Sequence, residues 1–141
     1  MGLFKPKWVR KSEAIERAAA KAQKVVERLT DPNDLIRAAL ESPWAAAQLA
    51  AVARLDDDAA LLYVLGASDQ YYVHEAVVGK LRGQDDLIHY MFFGAYSDAR
   101  EIALSRVGDQ QALCRFILEY PNDPAAAPMK EAAMQRVTAD D

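Results

Sequence analysis

A single cysteine, Cys114, excludes an internal disulfide, and with only two histidines no Cys/His cluster has zinc-binding spacing. A lone thiol suits a reducing compartment, so the cytoplasm is the expected location. The histidines are His74 and His89, and neither stands in a Ser-His-Asp, Cys-His or HExxH grouping. There is no Gly-rich phosphate loop either, so no cofactor or metal is expected, and a non-enzymatic role is favoured over an enzymatic one, which stays open. Glycine and proline number six each, which leaves most of the chain free to be helical. No apolar run approaches the roughly 20 residues of a membrane span. Leu3 and Phe4 run at once into Lys5-Pro6-Lys7, which is no secretion signal, and Pro6 stands where a myristoylation pattern needs Ser or Thr.

What is present is a large apolar content, 52% of 141 residues, enough for one packed core and too much for disorder. The net charge of −4 is unevenly placed. Residues 1–28 carry eight Lys/Arg against three Glu, for +5, and residues 29–141 carry nine against eighteen Asp/Glu, for −9. An acidic body repels phosphates, so nucleic acid is not an expected partner.

The organising feature is a repeat. A basic residue followed by an aliphatic one recurs at Arg28-Leu29, Arg54-Leu55, Lys80-Leu81 and Arg106-Val107, each 26 residues after the last. Six residues further on stand Leu35, Leu61, Leu87 and Leu113. Two before the basic position stand Val26, Val52, Val78 and Leu104. A partial fifth copy ends at Arg136-Val137, 30 residues on, with a four-residue insertion near the proline-rich stretch 120–128.

Each unit predicts two short helices. The first starts after Asp31, Asp57 or Asp109 as N-cap, with Pro32 at the first helical position of unit one and Gly83-Gln84-Asp85 replacing the cap in unit three. The clusters Asp56-Asp57-Asp58 and Asp85-Asp86 are thereby helix starts rather than cation sites. Breakers follow at Ser42-Pro43, Gly66 to Asp69, Gly94 and Tyr120 to Pro124. The second helix ends on the basic residue, where the macrodipole favours a cation. A helix from about Ser12 to Leu29 precedes the first pair, making about nine helices in all.

Asp-capped helix pairs with second helices such as VHEAVVGKL and AREIALSRV resemble HEAT-like repeats. They are shorter than the usual members and similar to the leucine-rich-repeat-variant and phycobilisome-lyase-type short repeats of bacteria. The opening GLFKPKW and the Arg28-Leu29-Thr30-Asp31 junction also look like small bacterial HEAT-like proteins. The resemblance covers about Ala14 to Val137. It implies an all-α fold, a short right-handed α-solenoid of about four repeats of ~26 residues plus an N-terminal helix. It thus divides the chain into a basic head, residues 1–11, and a single repeat domain, residues 12–141. It also implies a protein or peptide partner, as for an adaptor or scaffold. HEAT-like hydroxylases carry several His-Glu pairs where this chain has one, His74-Glu75, and HEAT-like DNA glycosylases need a basic face that the body lacks.

The second helices of such repeats line a concave face. In register, one column reads Gln48, His74, Arg100 and Lys130, and Tyr71-Tyr72 open the helix that carries His74. These six are the expected partner contacts, set against the alternative of a solvated face with weak ion pairs. Tyr90, Phe92, Phe93 and Tyr96 crowd unit three and cannot all point inward. Core is favoured for them over an exposed patch. Cys114 falls in an apolar column with Ile36, Leu62 and Ile88 and is expected to be buried.

The head mixes Phe4 and Trp8 with Lys5, Lys7, Arg10 and Lys11. Folding back to cap the first repeat is favoured over contact with an anionic membrane surface. An enzyme or lyase-like chaperone for a small ligand held near Tyr90 and Tyr96 is a further alternative, and a homodimer through the Ala-rich segment 125–137 stays open.

Overall fold

The computed structural model describes residues 5–137, and among these the chain is all-α, with nine helices and no strand. It forms two compact units, Met1–Ser68 and Asp69–Asp141. The first holds α1 (Lys7–Arg28), α2 (Pro32–Glu41), α3 (Ala45–Arg54) and α4 (Asp58–Ala67). There α2 packs on α3 and α4, and α1 packs on α3. The second holds α5 (Tyr71–Val78), α6 (Gln84–Phe93), α7 (Ser97–Arg106), α8 (Gln110–Glu119) and α9 (Ala127–Arg136). There α6 packs on α7, α8 on α9, and α7 on both α5 and α9.

The helix starts follow from capping. Asp31, Asp57 and Asp109 each accept a hydrogen bond from the backbone N–H two residues on, at 2.9, 3.2 and 2.9 Å. Each bond satisfies one of the donors that a helix N-terminus leaves free. Gly83 precedes α6 without a side-chain cap. Burial obeys the 26-residue register within both units. Val26, Val52, Val78 and Leu104 are buried, as are Leu35, Leu61, Leu87 and Leu113. Two small-residue columns are buried as well: Ala47, Val73 and Ala99, then Ala51, Val77 and Ala103. Small side chains there let second helices approach one another closely.

The recurring basic residue has a different task from the one its place in the sequence suggests. Arg54 Nη1 donates to the carbonyls of Val26, at 2.8 Å, and Leu29. Arg106 Nη1 donates to the Val78 carbonyl at 2.6 Å, and Arg136 Nη1 to that of Leu104. Each arginine therefore serves the C-terminal carbonyls of the preceding second helix, where acceptor capacity is left over and the dipole is negative. Glutamines add a second tie. Gln84 bridges the Arg106 carbonyl and the Gly108 N–H, and Gln110 donates to the Arg136 carbonyl.

Three local expectations change. Helix α1 begins at Lys7 rather than near Ser12, because Pro6 ends the extended lead-in and its carbonyl accepts from Val9 and Arg10. Trp8 lies on this helix 73% exposed, so it does not cover the end of the core. Phe4 lies outside the described residues. Lys5 pairs with Glu13 at 2.9 Å, and Lys7, Arg10 and Lys11 are exposed. Cys114 is half-buried rather than buried.

Candidate interaction site

The column expected to face a partner begins inside the protein. Gln48 and His74 are each 6% exposed, which removes them from direct contact with another molecule. Small neighbours explain this: Ala47 and Ala51 flank Gln48, Val73 and Val77 flank His74, and all four are buried. Arg100 and Lys130 are half-buried, and Lys130 donates to Asn122 Oδ1. Tyr71 is exposed and stands edge-on to the half-buried Tyr72, ring centres 5.4 Å apart.

His74 and Arg100 instead belong to a polar cluster in the interior of the second unit. His74 Nδ1 and the Tyr90 hydroxyl share a hydrogen bond of 2.8 Å. The Tyr96 ring meets His74 edge-on at 4.8 Å, and its hydroxyl donates to the Asp69 carbonyl. Arg100 Nε donates to the Met91 carbonyl at 3.0 Å, and its guanidinium lies 4.6 Å over the Tyr120 ring. Arg100 Nη2 is buried without a hydrogen-bond partner, and the ring face offers partial compensation. Burial pushes the Tyr90 hydroxyl above its ordinary pKa. The backbone N–H groups of Tyr96 and Ala95 and the Arg100 charge oppose this. Tyr90 is therefore neutral at physiological pH and can share its proton with the imidazole.

The surface that remains open is on the first helices. Asp85, Ile88, His89 and Phe92 recur at helical spacing along one side of α6. They face Arg115 and Glu119 of α8 and Tyr120-Pro121 after it, around a groove of about 630 Å³. Its rim holds Phe93, 74% exposed. Phe92 stands edge-on to the buried Phe116 at 5.4 Å, and Phe116 stacks on Tyr120 at 4.8 Å. Arg115 pairs with Glu119 at 3.5 Å and lies 5.5 Å over the Phe92 ring. The first unit carries a groove of about 490 Å³ in the same register, two repeat steps earlier. There Asn33, Ile36 and Arg37 of α2 face Tyr63 of α4, matching Asp85, Ile88, His89 and Arg115.

Comparisons with protein-family models, curated proteins and solved structures give no match. The chemistry of the grooves is accordingly read from this chain alone. Among the described residues, no three His, Cys, Asp or Glu side chains converge where a metal ion could sit. No described helix is long and apolar enough to cross a membrane. Of the groove residues, Phe92 and Phe93 stood out in the sequence as aromatics too crowded to be buried together. Ile88, His89, Arg115, Glu119 and Tyr120 did not. Ile88 belongs to the apolar column Ile36, Leu62, Ile88 and Cys114, which the structure leaves half-buried at every position, and the other four carry no sequence signal.

Proposed function

We propose that the chain is a non-enzymatic protein-binding module, a short α-solenoid of HEAT-like helix pairs. It takes a short peptide segment of a partner protein in the grooves between consecutive first helices. The observation that carries this is the recurrence of one groove, at one register, in both units. Helices that pack on the next and the next-but-one in sequence, and arginines that tie second helix to second helix, support the repeat architecture. The lone half-buried thiol goes with a cytoplasmic setting.

The groove of the second unit has the chemistry of an anchor site: Ile88, Phe92, Tyr120 and Pro121 line it, Phe93 is exposed on its rim, and Asp85, His89, Arg115 and Glu119 supply its polar groups. Its charges are Asp85 and Glu119 against Arg115, which already engages Glu119 and the Phe92 ring. The partner segment that fits is an apolar or aromatic side chain next to a lysine or arginine, with Asp85 meeting the cation. Selection of displayed peptides against the wild-type chain should yield that pattern. Replacing Phe93 with serine should weaken the selected peptides about tenfold or more, since an anchor contact is worth on the order of 1–2 kcal/mol. The exposed ring contributes little to folding, so helicity should not change. Peptides lacking the pattern, or bound equally by the variant, would contradict this assignment.

A further inference from the structure

Helix α1 is far longer than the helix it packs on: 22 residues against the 10 of α3. At 1.5 Å per residue it runs about 33 Å beside a partner of about 15 Å. Val26 is its buried residue, and Ala19, Ala22 and Gln23 before it are half-buried. The remainder is amphipathic. Trp8, Ile15 and Val25 are exposed by 73, 56 and 52%. Together with Ala18 and Ala22 they occupy an arc of about 100° on the helix. Arg10, Arg17, Lys21, Lys24 and Arg28 run along one flank of that arc, Lys7 and Lys11 fall within it, and Glu13, Glu16 and Glu27 fall on the far side. Residues 5–28 hold all eight cations of the basic segment against three carboxylates.

We propose that α1 is a membrane-surface helix that lies in the plane of an anionic lipid leaflet. Trp8 and Ile15, on the part of the helix away from the buried Val26, enter the headgroup boundary, and the flanking lysines and arginines reach phosphate groups. Charge argues against pairing of two α1 helices, and a lipid-free control separates a leaflet from the acidic body of a second copy. A second copy of α1 would bring +5 against +5, whereas an anionic leaflet complements the whole flank. Residue type agrees: tryptophan suits the interface, and lysine stems lie along apolar surface while their ammonium groups stay in water. One such segment binds weakly and reversibly, so attachment responds to salt.

The test uses the full chain with Trp44→Phe, which leaves Trp8 as the sole tryptophan. With phosphatidylcholine vesicles containing about one-third phosphatidylserine, Trp8 emission should shift to shorter wavelength and the protein should sediment with the lipid. Raising salt to about 0.5 M should reverse both effects, and pure phosphatidylcholine should produce neither. In a chain that keeps Trp44, the pair Trp8→Ser and Ile15→Ser should weaken sedimentation about tenfold or more at unchanged helicity. Three results would overturn the proposal: no shift at low salt, an equal response to pure phosphatidylcholine, or undiminished sedimentation of the double variant. A Trp8 shift that follows protein concentration without lipid would assign the face to a second copy and also overturn it.

Discussion

The Tyr90 hydroxyl meets His74 in the interior of the second unit, and its ionisation would bury a charge. Burial raises its folded pKa above the ordinary 10.0. Below the unfolded value both states are neutral, and the stability linked to this group is fully present. As pH rises through and beyond that value the unfolded chain releases the proton first, so stability falls with increasing pH. Denaturant titrations should show the loss setting in near pH 10, and Tyr90→Phe should flatten that alkaline limb. The same variant removes the hydrogen bond between His74 and Tyr90, at a cost of about 0.5–1.5 kcal/mol at neutral pH. Gly94 is the other residue the cluster depends on. A methyl group there would run into the Tyr90 ring and approach the Tyr90 carbonyl to 2.6 Å. The carbonyl is backbone and cannot give way, so Gly94→Ala should destabilise by about 1–3 kcal/mol, seen as a lower Tm with helicity retained below it. Neither role was visible in the sequence. Apolar residues occupy every side of α6, so periodicity alone could not separate Leu87, Tyr90 and Met91, which are buried, from Ile88, His89, Phe92 and Phe93, which line or rim the groove.

At the scale of the helix, the termini were the most legible part of the fold. The three aspartate caps and Pro32 at a helix start were readable because capping is local chemistry. The arginine column was readable as a column but not as a tie, because its acceptors lie 28 residues away in the preceding unit of the repeat for Arg54 and Arg106. Replacing Arg106 with methionine keeps the aliphatic stem and removes the bond to Val78. A charge-assisted bond at a half-buried site is worth about 1–2 kcal/mol. The exposed Arg115 makes a surface pair with Glu119 and lies over the Phe92 ring, both in contact with solvent, so Arg115→Met should cost under about 1 kcal/mol and less than Arg106→Met. Equal losses in urea unfolding of the two variants would show that the column is not a structural tie. The start of α1 was misjudged because a run of lysines around Trp8 resembles a loop. Helical spacing of Trp8, Ile15 and Val25 was the available sign that the helix begins earlier.

Across the whole chain, one 26-residue register orders the core columns, the caps and the grooves of both units. That register was legible because it is a pattern of residue types. The site was not, because the inward and outward faces of a helix pair are set by neighbours distant in sequence. Gln48 and His74, polar and in column, pointed to a surface that the packing of small side chains closes over. The measurement that decides between the two surfaces is an amide NMR titration of the labelled chain with a peptide from the selection. Binding in the first-helix groove predicts shifts concentrated at Ile88, His89, Phe92, Phe93, Arg115 and Tyr120. Shifts concentrated instead at Tyr71, Tyr72, Arg100 and Lys130 would contradict it and return the site to the second helices.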